Sequence, residues 1–305
     1  MAEETHKVRF IYNPNAGHKK IVSNLEAISA LYSGYGYVLE PVEIGFAPED
    51  VDRLVGGLET GYHHLLMAGG DGTINHIVNL LKSRGIDIPL AMLRAGTAND
   101  FTSVLGIPAD PVRACEGILN GEVRNIDIGS VNGRYFVNVF SCGLFTDTSQ
   151  KTPDFLKNTF GKVAYYFNGL ADIPRFRKIG LKLETDGGTF DGNAVVFFVF
   201  NGRTAGKLPI AYLSEVDDGK LDVLVVKGNT PVNLLPTAIK YLPRKWRNDE
   251  YPPGVVHIRC ASLRAEASRD LHTDVDGQPG PEFPIEVKCH PGALRILVPK
   301  APEAK

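Results

Sequence analysis

The stretch LLMAGGDGTINHIVNLL, residues 65–81, decides how the first half of this chain is read. Its apolar start reads as a strand. Gly69 and Gly70 stop it, and Ile74, Ile77, Val78 and Leu81 then recur at the helical spacing. A glycine-rich turn between strand and helix lets backbone N–H groups approach an anion, and the helix N-terminus adds partial positive charge. Thr73 stands where an N-cap is expected. Asp71, in the middle of such a phosphate cradle, would repel phosphate unless a cation sits between them. The stretch therefore points to nucleotide phosphates with Mg²⁺. An exposed aspartate on a tight turn is the plainer alternative.

Two more turns are built alike. YNPNAG (12–17) ends the strand-like KVRFIYN, and RAGTANDF (94–101) ends IPLAML. All three fall at strand C-termini, where open parallel sheets bind ligands. Between them, IVSNLEAISALY reads as one helix with Ile21, Leu25, Ile28 and Leu31 on a single face. HLLMA reads as the second strand, and PVRACEGILNG as a helix closed by Gly121. Alternating strands and helices predict a parallel sheet covered by helices.

After about residue 125 the texture changes to short β-rich runs, among them RYFVNVFSCG, GTFDGNAVVFFVFNG, KLDVLVV and FPIEVKC. Asn132-Gly133, Asp186-Gly187 and Asp218-Gly219 punctuate them as turns. A mostly antiparallel sandwich is expected, interrupted by helices near residues 155–171 and 232–241. The predicted architecture is thus α/β + β. An N-terminal Rossmann-like α/β nucleotide-binding domain spans residues 1–125, and an antiparallel β-sandwich domain spans 126–292. The tail from about 293 to 305 returns to the first domain.

The gross numbers agree. A length of 305 residues suits two domains, and 43% hydrophobic with 22% charged residues is ordinary for a soluble protein. A net charge of −2 gives no case for nucleic acid as a partner. Cys115, Cys142, Cys260 and Cys289 are scattered and read as idle thiols in a reducing compartment. MAEETHKVRF does not read as a secretory signal, and the longest apolar runs are too short to span a bilayer. The expected location is cytoplasmic.

NPNAG, GGDGTINH and GTANDF, in this order and spacing, resemble the diacylglycerol kinase catalytic domain family, particularly bacterial soluble lipid kinases of the diacylglycerol kinase B and YegS type. NIDIG (125–129), FNGRTAG (200–206), DDGKLDV (217–223) and DVDGQPGPEFPIEV (274–287) extend the resemblance over essentially the whole chain. It implies an active site in the cleft between the two domains. It also implies ATP- and Mg²⁺-dependent transfer of the γ-phosphate to a lipid hydroxyl, with diacylglycerol giving phosphatidic acid in phospholipid biosynthesis.

By this resemblance Asn13, Pro14, Asn15, Ala16, Gly17, Gly70, Asp71, Gly72, Thr73, Ile74, Asn75, His76 and Thr97 hold ATP. Asp71, Asp100 and Asp127 match acids that organise the catalytic Mg²⁺, and Asp276 matches the acid of a DGE motif. A structural Mg²⁺ is implied at Asp218, with the carbonyls of Glu215 and Lys220. The chain departs from the family at Gln278, where the Glu taken as general base usually stands; an amide cannot accept a proton at neutral pH. Asp276 or Glu282 could take over that role.

IKYLPRKWRN, with Lys240, Arg244, Lys245 and Arg247 around Trp246, suits an anionic membrane surface or forms a solvated turn. The expected partners are a lipid substrate and, transiently, the inner membrane surface, with a second copy of the chain as a further candidate. Two other functions compete. One is a soluble nucleotide kinase of the NAD kinase type, which shares the GGDG loop. The other is a non-catalytic nucleotide or lipid binder, motivated by Gln278.

Overall fold

The computed structural model describes residues 6–17, 20–143, 179–228, 250–251 and 254–300. The helices expected near 155–171 and 232–241, and the basic run around Trp246, lie outside the described residues. The chain separates into two compact units, residues 1–126 with 292–305, and residues 127–291.

The first unit contains, in chain order, β1 (His6–Tyr12), α1 (Lys20–Ser23), α2 (Leu25–Gly34), β2 (Tyr37–Glu43), α3 (Asp50–Val55), β3 (Tyr62–Gly69), α4 (Asp71–Ser83), β4 (Leu90–Arg94), α5 (Asp100–Val104) and α6 (Pro111–Leu119). Its strands pair in parallel in the order β4-β3-β1-β2. Right-handed crossovers therefore place α1 and α2 on one face and α3 and α4 on the other. Accordingly α2 packs with α6, and α3 with α4. The order reverses between β1 and β3, so the loops after these two strands flank the sheet's switch point.

Several local expectations are corrected. HLLMA belongs to the third strand. The second is YVLEPVE, an edge strand with no fully buried residue and with Pro41 in its middle, which edge strands tolerate. The helix expected over 21–32 breaks at Asn24, whose side chain donates to the Lys20 carbonyl at 2.8 Å. Ile21, Ile28 and Tyr32 face the core, while Leu25 and Leu31 are only half-buried. Asp110 caps α6 by accepting the Arg113 N–H, with Pro111 following it. Gly121 does not close that helix through a left-handed turn. It leaves room for another strand, since a Cβ there would lie 2.0 Å from the Val298 carbonyl.

At the amino end of β3 sits a buried aromatic knot. His64 is 1% exposed; its Nε2 lies 3.2 Å from the Tyr32 hydroxyl, its Nδ1 lies 2.9 Å from Nδ1 of His63, and Tyr37 packs edge-on against it. Burial, with His63 adding, pushes the His64 imidazole from 6.5 down to about 3. The unfolded chain then binds the extra proton first as the pH falls. Stability is expected to be full above pH 6.5 and to decline toward pH 3, by at most ~1.4 kcal/mol per unit. Urea melts at neutral and acid pH should show this slope in the native protein and a flatter one in His64→Phe. Equal slopes would place the proton elsewhere.

β5 (Glu122–Val131) carries the chain into the second unit, and β15 (Ile285–Val298) carries it back. Between them lie β6 (Arg134–Phe136), β7 (Val139–Gly143), β8 (Ile179–Thr185), β9 (Gly188–Phe200), β10 (Leu221–Lys227), β11 (Val255–Cys260), β12 (Ser262–Ala267), β13 (Thr273–Val275) and β14 (Gln278–Pro279). Their pairings are antiparallel. Asn132 and Gly133 both take positive φ, as a two-residue hairpin between β5 and β6 requires. Asp218-Gly219 is not such a hairpin: it enters β10 from a long loop.

The pairs β9–β10, β10–β11, β12–β8 and β8–β9 close a ring, because only Ala261 separates β11 from β12. Phe140, Phe197, Val199 and Val223 fill one core. Their alternates Val139, Phe198, Phe200 and Leu224 fill another. Burial on both faces explains why AVVFFVF is continuously apolar. None of the four cysteines is in a disulfide, and burial pushes Cys115, Cys260 and Cys289 up to about 12, which leaves them as thiols at neutral pH.

Candidate active site

In the first unit, three loops meet at the carboxyl edge of the sheet. Asn13 donates its N–H to Ala68 at 2.9 Å and accepts the Asn15 N–H on its side chain, which folds NPNAG into a tight turn. Gly17, at φ +59°, lies so close to the next loop that a Cβ would come within 2.9 Å of the Ala95 carbonyl. Gly96 and Gly70 approach each other further still, for a Cβ on Gly96 would stand 2.4 Å from the Gly70 Cα. Asn99 locks this loop: its Oδ1 accepts the Gly96 N–H and its Nδ2 donates to the Gly96 carbonyl, both at 2.7 Å.

Gly70, not Thr73, is the N-cap of α4; the amides of Thr73 and Ile74 bond back to its carbonyl. Thr73, Ile74 and Asn75 are buried, whereas Asn15 and Thr97 are exposed and His76 is half-buried beside Phe46. Asp71 is buried, unlike the exposed aspartate of the plainer alternative. Its carboxylate accepts the N–H of Asn99 at 3.1 Å and faces that of Phe101 at 3.5 Å. It thereby ties GGDG to GTAND. Asp100, which lies in sequence between these two donors, is buried at 3% exposure. The glycine contacts let the loops pack backbone to backbone beside the amino end of α4, where a phosphate chain would meet N–H donors.

In the second unit, Asp127 is 2% exposed and accepts the Gly219 N–H at 2.6 Å. Asp276 takes the left-handed conformation at φ +50°. Its carboxylate accepts three consecutive backbone donors: Val137 at 2.7 Å, Asn138 at 3.0 Å and Val139 at 2.8 Å. Gln278 accepts from Arg134 at 2.8 Å. Asp218 accepts the Lys220 N–H and pairs with the Arg259 guanidinium, while Glu215 is exposed. Among the described residues no three His, Cys, Asp or Glu side chains converge as a metal site. A cation at Asp218 would rest on oxygen donors, mostly backbone carbonyls, which suit a hard ion such as Mg²⁺. Gly96, Asn99, Asn201 and Arg134 had no assigned role at the sequence level. Gly96 and Asn99 stand inside GTANDF and Asn201 inside FNGRTAG, so position within the motif was the available signal.

An open parallel sheet with glycine-rich loops at its carboxyl edge, joined in one chain to a rolled antiparallel unit, defines a mixed α/β and β-sandwich-like class of protein. Residues 7–131 match the diacylglycerol kinase catalytic domain, and residues 139–298 match the YegS C-terminal NAD kinase beta sandwich-like domain. The chain belongs to the diacylglycerol kinase family. It is 28% identical over 296 residues to a diacylglycerol kinase of Bacillus subtilis (strain 168), covering 96% of this chain and 97% of that one. To a diacylglycerol kinase of Staphylococcus aureus (strain bovine RF122 / ET3-1) it is 31% identical over 284 residues, covering 91% and 88%. A crystal structure of a proposed diacylglycerol kinase from Bacillus anthracis str. Sterne superposes with a TM-score of 0.81 at 25% identity, over 98% of this chain and 97% of that one.

Proposed function

We propose that this chain transfers the γ-phosphoryl group of ATP to the hydroxyl of a membrane lipid, with diacylglycerol as the acceptor and phosphatidic acid as the product. The observation that carries the reading is the backbone-to-backbone packing of the loops at Gly17, Gly70 and Gly96 beside the amino end of α4, where backbone N–H groups and the helix terminus favour a phosphate chain. Asn13–Gly17, Gly70–His76 and Thr97 would hold ATP there, with Asp71 and Asp100 as the acids of these loops. Mg²⁺, when bound with ATP, neutralises phosphate charge. Asp71 keeps the two glycine loops in register, and Asp127 and Asp276 supply the acids of the second unit. Arg134 fixes the Gln278 amide, so no carboxylate stands at that position. A loose transition state holds the acceptor proton until late, which lessens the need for a base there. Among the described residues no helix is long and apolar enough to cross a membrane; in our reading the enzyme meets its lipid at the inner membrane surface.

Radiolabelled ATP with mixed micelles of diacylglycerol, with NAD in parallel, tests this. Labelled phosphatidic acid, lost in Asp71→Ala, is the expected result. Label in NADP would establish a nucleotide kinase instead. ATP binding without turnover on any acceptor would establish a binder.

The structural Mg²⁺ proposed at Asp218 has its own test. Added Mg²⁺ is expected to raise the melting temperature of the native chain more than that of Asp218→Ala. Equal responses would mean that this carboxylate holds no Mg²⁺.

A further inference from the structure

We infer that Asn201, at the end of β9, is the positioning residue of both acids in the second unit. The inference rests on the kinase reading above. Asn201 is fully buried. Its Nδ2 donates twice, to the carbonyl of Asp127 at 2.8 Å and to that of Val137 at 2.9 Å. Val137 in turn donates its N–H to the Asp276 carboxylate. One amide group therefore bridges the backbone that carries Asp127 and the backbone that grips Asp276.

The bridge is itself held. The Asn201 N–H donates to the Asn138 carbonyl at 2.9 Å, and the Ser214 hydroxyl donates to the Asn201 carbonyl at 3.1 Å. Asn138, one step beyond the last Val139–Phe200 pair, is anchored by donating to the Thr204 carbonyl at 3.0 Å. Among the described residues Oδ1 of Asn201 has no hydrogen-bond partner. The side chain's orientation is thus set by what it donates, and only an amide nitrogen can supply both bonds from this position. Leucine would match the shape and lose both donors; aspartate would turn an oxygen toward two carbonyl oxygens.

Asn201 contacts neither nucleotide nor acceptor in this role, so its effect should pass through the acids. In the lipid assay, Asn201→Ala is expected to lower kcat by about 100-fold while the KM for ATP stays within about threefold. The decisive measurement is a double-mutant cycle with Asp276→Asn. The part of the Asn201→Ala loss that passes through Asp276 vanishes once Asp276 is gone, while the part through Asp127 remains, so Asn201→Ala should slow the Asp276→Asn background by much less than it slows the native chain. Asn201→Ser, which keeps one donor, should recover part of kcat and also serves should the alanine variant melt below the assay temperature. Multiplicative losses in the cycle, or a folded Asn201→Ala with native kcat, would overturn the inference and leave the kinase reading standing. A native chain that transfers phosphate to no lipid would overturn both.

Discussion

Replacing Asp71 by asparagine is expected to lower kcat on a lipid acceptor about a thousandfold, or ~4 kcal/mol of transition-state stabilisation, in a chain that still folds. The expectation joins two observations. An acid stands at the amino end of α4, directly after Gly69 and Gly70, and the same carboxylate receives backbone donors from the loop at 99–101. Asparagine keeps the shape and one acceptor oxygen, so the fold should lose only about 1 kcal/mol. What disappears is the charge that a phosphate-bound cation would balance. Comparing kcat and melting temperature in the same variant decides the matter. Near-native kcat in a folded Asp71→Asn would remove this residue from the chemistry and leave it as a loop tie.

Asp276→Asn is expected to damage stability and turnover together. A buried carboxylate that accepts three consecutive N–H groups is an anchor for the turn before β7 as well as an acid. Asparagine tolerates the left-handed backbone at this position, so backbone strain does not confuse the result. It does turn one acceptor oxygen into a donor facing other donors. Leaving buried N–H groups unpaired costs about 1–3 kcal/mol each, and a drop in melting temperature of roughly 4–10 °C follows for a unit of this size. Turnover should fall by about 100-fold or more, with ATP binding little changed. A residue acting purely as proton acceptor would instead leave the melting temperature alone and remove one limb of the pH–rate profile. That outcome would show the three backbone bonds to be incidental.

The legible parts of this molecule were those in which residue type and local geometry coincide. An apolar run stopped by Gly69 and Gly70 can hardly be anything but a strand meeting a helix, and Asn132-Gly133 marks its own hairpin. The edge strand over Tyr37–Glu43 was hidden because Pro41 and its shallow burial suppress the usual alternation. The candidate acids were legible as letters of the sequence, but what holds them in place was not. Asp71 is held by N–H groups 28 and 30 positions away, and Asp276 by groups 137 to 139 positions away. Every residue except proline carries such a donor, so no letter in the sequence announces it. Asn201 was missed for the same reason, since both oxygens it serves belong to the backbone.

β15 also sets the order in which this protein can be finished. Its last residues complete the first unit: Ile296 pairs with Leu90, Lys82 reaches the Ala293 carbonyl, Arg295 bonds to Asp87, and Val298 fills the space that Gly121 leaves open. On a ribosome, residues 1–126 emerge first yet wait for the whole of residues 127–291 before their final strand arrives. The nascent sheet meanwhile exposes an unpaired β4 edge, the kind of surface that recruits foreign strands. The inserted unit can close its ring without that help. Synthesis from one end thus leaves the first-made part of the molecule the last to mature, and a fragment cut after residue 126 should aggregate where one holding residues 127–291 stays in solution.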